Sequence, residues 1–214
     1  MSPTLLGCLL GVTQGICHAV EPDHLAAMST LVVQERRPGA VVRFAAAWGL
    51  GHALTLLAVG GSLLLVGTSM PTSLADACEL GVAFMLIALG VRALRGGHRT
   101  RARHAHEGGG AHVLAASLRR AIAVGMVHGL AGSGAIAALV VARLMSRFAG
   151  LSFIALYGLG ATVGMAIVAG AAGVPLARLM RGPHGAPRML QLTGVVSLVV
   201  GAAWAWPIAR RWFG

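Results

Sequence analysis

Four ionisable residues lie close together inside an apolar segment near the start of the chain. His18, Glu21, Asp23 and His24 surround Pro22 within seven residues. An ionisable side chain at the centre of a membrane helix costs about 3 kcal/mol, so four together need a compensating partner. Imidazole nitrogen and carboxylate oxygen suit Ni²⁺, Co²⁺ and Zn²⁺, whereas Ca²⁺ and Mg²⁺ prefer shells of oxygen. These residue types favour a site for a divalent transition metal.

Two other interpretations fit the same cluster. It is also compatible with a proton relay, or with an internal ion pair such as Asp23 with His52. On a regular helix Asp23 and His24 would lie about 140° and 240° around from His18, so the three could not converge on one ion. Pro22 lacks a backbone donor and clashes with the preceding turn, so we expect a broken helix that turns these side chains inward.

Later segments supply candidate partners for the cluster. His52 lies in the stretch Trp48–Thr55, WGLGHALT, and is predicted to be a ligand or a neighbour of the ligands, with Thr55 as a secondary residue. His128 is interpreted either as a gating or relay residue or as a packing residue. Glu21 is a further secondary candidate.

The elements that must position these residues are membrane helices. The chain is 57% apolar and 11% charged, against about 45–50% and 25% in soluble domains. Each apolar segment reaches the roughly 20 residues that cross a bilayer. We therefore predict an all-α membrane protein with about six transmembrane helices: Leu5–Val33, Val41–Val66, Leu74–Leu94, Ala121–Val141, Leu151–Leu179 and Met189–Ile208.

Charge distribution predicts the orientation of these helices. Thirteen of the seventeen basic residues, all Arg, fall in alternate connections, and only Arg143, Arg147, Arg210 and Arg211 fall in the others. The positive-inside rule makes the Arg-rich side cytoplasmic. The prediction is a multi-pass protein of the cell (inner) membrane with both termini outside. Because the charge lies between apolar segments, the net charge of +11 does not indicate a nucleic-acid partner.

The sequence also contains a weak internal repeat. A displacement of 110 residues aligns Gly15–His18 with Gly125–His128, and a displacement of 109 aligns Trp48–Gly51 with Tyr157–Gly160. We predict two three-helix inverted repeats, residues 1–95 and 118–214. Transporters of this kind bind substrate near the bilayer midplane. Residues 96–117 are predicted to form a cytoplasmic loop, whose histidines either bind metal transiently or are simply solvated: His98, His104, His106 and His112.

The motif His18-x4-Asp23-His24, followed one helix later by Gly51-His52, resembles the nickel/cobalt transporter family, NiCoT. The phrase HAVEPDHLAA is most similar to its short branch, often labelled urease-accessory membrane proteins. The resemblance implies that His18, Asp23, His24 and His52 bind metal during transport, with Ni²⁺ or Co²⁺ as substrate and no prosthetic group. It favours uptake, with efflux or urease-accessory metal delivery as alternatives. A cytoplasmic metallochaperone is a candidate partner, and the preferred metal, energy coupling and oligomeric state stay open.

Enzymatic functions are poorly supported. Gly132–Ala135 superficially resembles the serine motif of rhomboid intramembrane proteases, but the fifth and sixth segments contain no His to act as base. A metal-dependent intramembrane hydrolase is a remote alternative, because it would need a water route and an open coordination position. We expect the chain not to be an enzyme.

Overall fold

The computed structural model describes residues 3–33, 38–96, 111–129, 146–179 and 185–214, and all regular structure in these ranges is helical. In chain order the α-helices are α1 Pro3–His18, α2 Pro22–Val32, α3 Pro38–Thr55, α4 Gly61–Val66, α5 Thr72–Gly96, α6 Ala111–His128, α7 Arg147–Leu179 and α8 Gly185–Phe213. A π-helical turn, Leu56–Gly60, joins α3 to α4.

Four stretches of the described chain are long and apolar enough to cross a membrane: Gly39–Val66, Thr72–Arg95, Arg147–Gly173 and Gly185–Phe213. They correspond to the second, third, fifth and sixth predicted segments. Large apolar side chains on their surfaces are exposed, including Phe84 at 64% and Val199 at 62%. Such a surface is unfavourable in water but suits lipid. The described chain is therefore that of a helical membrane protein.

The first predicted segment consists of two helices. After His18 the chain tightens into a turn, in which the amide of Val20 donates to the Cys17 carbonyl (3.1 Å) and that of Glu21 to the His18 carbonyl (3.1 Å). Helix α2 then begins at Pro22, a residue suited to the first helical position because its missing N–H would lack an intrahelical partner there. The expected break near Pro22 is present in the structure.

The later elements differ from the sequence expectations in two places. Helix α6 begins at Ala111, inside the stretch predicted to be a loop, because Ala111–Ser117 is a good helix-forming sequence that continues the following apolar run. The π-helical turn after Thr55 was not predicted. Residues 97–110, which hold His98, His104 and His106, lie outside the described chain. So do residues 130–145, which include the end of the fourth predicted segment and the serine motif.

Close helix packing depends on glycines at matching positions of the two halves. A Cβ atom on Gly15 of α1 would meet the Tyr157 carbonyl of α7, and one on Gly125 of α6 would meet the Trp48 carbonyl of α3. Gly15 and Gly125 are aligned by the internal repeat, as are Trp48 and Tyr157. Matching glycines thus bring α1 against α7 and α6 against α3.

The α3–α7 and α5–α8 pairs are also packed through glycines, and each helix of a pair contributes one that faces the other helix. A Cβ on Gly49 would lie 2.6 Å from the Thr162 Cα, and one on Gly158 would lie 2.8 Å from the Ala53 Cβ. In the other pair, Gly90 faces the Gly194 carbonyl, while Gly201 faces the Ala83 carbonyl. This last exchange corresponds to a displacement of 111 residues, one more than the displacement that aligns Gly15 with Gly125.

Candidate metal site

The candidate site is a buried cluster of four histidines and one aspartate. His18 is 2% exposed, and Asp23, His24, His52 and His128 are each 0% exposed. The end of α1 supplies His18, the start of α2 supplies Asp23 and His24, α3 supplies His52, and the end of α6 supplies His128. The structure thus brings together all four predicted metal ligands and His128.

His24 lies at the centre of this cluster. Its ring centroid is 4.3 Å from that of His18, 4.1 Å from His128 and 5.5 Å from His52. The break before Pro22 allows this arrangement, because α2 starts anew and is free to direct His24 back toward His18.

The depth of the cluster follows from the position of His52. This residue lies midway along the apolar stretch Gly39–Val66. At about 1.5 Å per residue, His52 is roughly 20 Å along the helix from either end of the stretch. The candidate site is therefore near the middle of the hydrocarbon layer that this stretch would cross.

Asp23 is held by two histidines. Its Oδ1 accepts hydrogen bonds from the His24 backbone amide (2.9 Å) and from His24 Nδ1 (3.2 Å), and its Oδ2 accepts one from His128 Nε2 (3.0 Å). The ion pair of Asp23 with His52 that the sequence left open is not formed; His24 and His128 take those positions. His128 is more than a packing residue, since it contacts the buried carboxylate directly.

Glu21 and Thr55 lie at the edge of the cluster. Oε1 of Glu21 is 2.9 Å from His18 Nδ1, close enough for an ion pair but not aligned for a hydrogen bond. Thr55 follows His52 by one helical turn, and its buried hydroxyl has no hydrogen-bond partner among the described residues. Both residues thus flank the cluster, and neither belongs to the donor groups below.

Several buried imidazole nitrogens have no hydrogen-bond partner within the described ranges: both nitrogens of His18 and of His52, Nε2 of His24, and Nδ1 of His128. Buried polar atoms are normally paired, because an unsatisfied one costs about 1–3 kcal/mol. Imidazole nitrogens that have no hydrogen-bond partner are available as metal ligands.

Two overlapping groups of donors have the spacing of a metal site. One contains His18, His24 and His52, and the other contains Asp23, His24 and His128; in each group the donor atoms lie within 4.8 Å of one another. Imidazole and carboxylate donors fit nickel, cobalt or zinc better than calcium or magnesium. The residues therefore fit a divalent transition-metal ion.

Two aromatic residues, not predicted as site residues, line the cluster. Trp48 stacks on His24 with ring centroids 5.6 Å apart and lies 5.5 Å from His128, while Tyr157 lies 5.5 Å from His18. Both are buried, and neither Trp48 Nε1 nor the Tyr157 hydroxyl has a hydrogen-bond partner in the described chain. The internal repeat already aligned these two aromatic residues just before a Gly-Leu-Gly sequence, which was the signal available for finding them.

Comparison with known proteins gives one informative similarity. The chain is 29% identical to the urease accessory protein UreH of Bacillus sp. (strain TB-90) over 201 residues, which cover 90% of this chain and 87% of UreH. No protein-family profile matches the chain. No solved structure gives a significant match.

The similarity extends over most of the length of both proteins. UreH is described as an accessory protein rather than an enzyme, in agreement with the expectation that this chain is not an enzyme. The comparison loosely supports the family resemblance drawn from the His-x4-Asp-His motif.

Proposed function

We propose that the protein transports a divalent transition-metal ion, nickel or cobalt, across the cell membrane through the cluster His18, Asp23, His24 and His52. The observation that carries this proposal is a set of buried imidazole nitrogens at the centre of an apolar bundle, without hydrogen-bond partners among the described residues. A folded protein gains nothing from leaving such atoms unpaired. A passing ion that they bind would offset the cost of burying them.

The charge of the cluster suits such an ion. Asp23 is buried and Glu21 is half-buried, so two carboxylates stand close to the histidines. Two negative charges offset a dication in a medium where an uncompensated charge is costly. Imidazole ligands favour nickel and cobalt over the more abundant magnesium and calcium.

The reciprocal glycine contacts support an inverted repeat as the architecture of the transporter. In this proposal six helical crossings form two three-helix halves, residues 1–95 and 118–214, with both termini outside and the Arg-rich connections inside. Asp23 and His24 of the first half meet His128 of the second. A site between two halves is accessible from either side when the halves move against each other.

Uptake of nickel or cobalt is the direction that the motif's resemblance to NiCoT favours. The similarity to UreH adds support for a role in metal handling. An inside-negative membrane potential would drive cation entry by about 2.3 kcal/mol per charge for each 100 mV. Efflux and delivery of metal for urease assembly are the alternatives that use the same site.

Elemental analysis of whole cells tests the proposal. Cells that express the wild type or the His24→Ala variant would be grown with trace Ni²⁺, Co²⁺, Zn²⁺ and Mn²⁺. We expect nickel or cobalt to rise with the wild type and not with the variant, at equal amounts of protein in the membrane. A fall in either metal would instead indicate efflux, and equal metal contents would contradict the transport function. Asp76→Asn, which changes a carboxylate in the first turns of α5, is the matched control.

A proton relay is the second candidate function, because Asp23 links His24 and His128 through hydrogen bonds. Proteoliposomes loaded with a pH-sensitive dye distinguish the two functions. Proton movement in the complete absence of transition metals would favour the relay. Proton movement that requires the metal, or none at all, would favour ion transport.

A further inference from the structure

We propose that His18, His24 and His52 bind the ion directly, and that Asp23 acts behind His24 as a positioning residue rather than as a ligand. This inference rests on the proposed transport function and divides the predicted ligand set into two roles. The distinction follows from which atoms of the cluster already have partners.

Both carboxylate oxygens of Asp23 are engaged. Oδ1 lies 2.9 Å from the His24 backbone nitrogen and 3.2 Å from His24 Nδ1, and Oδ2 lies 3.0 Å from His128 Nε2. An ionised carboxylate can only accept hydrogen bonds, so both histidines must donate to it. Three of the roughly four lone-pair positions of this carboxylate are therefore used, whereas Nε2 of His24 has no hydrogen-bond partner in the described structure.

The hydrogen bond that His24 donates to Asp23 determines which nitrogen of His24 is free. If Nδ1 carries the proton that it donates, the lone pair of the neutral ring is on Nε2. Nε2 of His24 is buried and has no hydrogen-bond partner in the described structure. His24 is thus held in the tautomer and orientation that a metal ligand requires.

His18 also has a carboxylate beside it, that of Glu21, although the two are not aligned for a hydrogen bond in the described structure. The Glu21 carboxylate lies 2.9 Å from His18 Nδ1, which leaves Nε2 as the nitrogen directed away from the carboxylate. His52 has neither nitrogen paired within the described ranges. One ring nitrogen from each of His18, His24 and His52 lies within 4.8 Å of the other two, a spacing that one ion can bridge after small side-chain adjustments.

A carboxylate behind an imidazole ligand is a recognised feature of metal sites, and both His24 and His18 have one beside them. A ligating histidine commonly donates its other ring N–H to a carboxylate, which fixes the ring and raises its basicity. The negative charges of Asp23 and Glu21 would then offset the dication without occupying coordination positions. Because the shell itself contains only nitrogen from the protein, it would discriminate strongly against magnesium and calcium, which prefer oxygen.

X-ray absorption spectroscopy of the full-length protein in detergent, loaded with Co²⁺, tests this division of roles. We expect three imidazole ligands in the wild type and in Asp23→Asn, and one fewer in His24→Gln. Asp23→Asn should weaken Co²⁺ binding by about 10–100-fold, as is typical when the partner behind a ligating histidine is lost. Asp76→Asn is the same substitution at a carboxylate that pairs with Arg211 of α8 instead of a cluster histidine, and it should match the wild type in both measurements.

The wild-type spectrum alone can overturn the inference, so the test does not depend on the folding of any variant. A carboxylate oxygen in the shell with fewer than three imidazoles would make Asp23 a ligand and refute its positioning role. Metal accumulation in cells together with that spectrum would leave the transport function intact. Three imidazoles without metal accumulation would instead refute transport and leave the coordination inference standing.

Discussion

Glycines at matching positions of the two halves pack against matching helices, whereas the acidic residues of the cluster come from the first half alone. Gly15 and Gly125 make equivalent close approaches to Tyr157 and Trp48. His18 and His128 are likewise aligned by the repeat, but Asp23, His24 and His52 belong to the first half. The two halves therefore share the glycine contacts that hold the helices together, but most of the candidate metal-ligand atoms lie in one half.

The first prediction concerns His24, the central residue of the cluster, which lies in the half that holds most of the candidate metal ligands. His24→Gln should lower the affinity for Ni²⁺ or Co²⁺ by more than about 100-fold, beyond the 10–100-fold typical of losing an outer partner. The reason is that His24 belongs to both donor groups. Equilibrium dialysis of the purified protein measures this affinity, with size-exclusion chromatography to verify folding. Undiminished binding by a folded His24→Gln protein would remove the cluster as the metal site.

The second prediction compares the two histidines that the repeat aligns. His18→Gln should weaken metal binding about 10-fold or more relative to His128→Gln. The reason is that Nε2 of His128 already donates to Asp23, while Nε2 of His18 has no hydrogen-bond partner in the part of the chain that the structure describes. Titration of both variants with Co²⁺ under identical conditions provides the comparison. Equal losses would mean that the two halves contribute equally to binding, contrary to the asymmetry described above.

The third prediction tests the packing that the halves share. Gly15→Ala and Gly125→Ala should each destabilise the protein by about 1–3 kcal/mol, because the added Cβ meets a backbone carbonyl that has little room to move. The free energy of unfolding in mixed detergent micelles measures the effect. Gly81→Ala is the control, since a Cβ there meets nothing within 4 Å. Destabilisation by only one of the two glycine substitutions would show that the halves do not depend on equivalent contacts.

The smallest expected effect lies at the contact between α5 and α8. The Ser197 hydroxyl donates to the Leu86 carbonyl at 3.0 Å, and Ser197→Ala should cost about 0.6 kcal/mol, the average for interhelical hydrogen bonds in membranes. Ser62→Ala provides a matched control, because its hydroxyl donates to the Ala58 carbonyl at 2.6 Å within the same chain segment. The same unfolding assay distinguishes them; a larger loss for Ser62→Ala would place the stabilisation within the helix rather than between α5 and α8.

Much of the helical architecture was predictable because apolar length is sufficient to define a membrane helix. The second, third, fifth and sixth predicted segments correspond to apolar helices in the described structure. Pro22 indicated the break in the first segment because proline cannot donate the hydrogen bond that a continuous helix requires. The π-helical turn at Leu56–Gly60 was not predictable, since local apolar periodicity does not reveal where a helix adds one residue to a turn. The early start of α6 at Ala111 was missed, although Ala111–Ser117 is a good helix-forming sequence.

The sequence by itself determined which donor types are present, their location in apolar segments, and the break that places His24 in a separate helix from His18. Only the tertiary structure decided which donor atoms face one another. Asp23 contacts His128, 105 residues later in the chain, and that contact depends on where the bundle places α2 and α6. The physical reason is that the hydrogen-bond partner of one ring nitrogen determines whether the other nitrogen of that histidine is free to bind metal. Some of those partners lie on helices that are distant in the sequence.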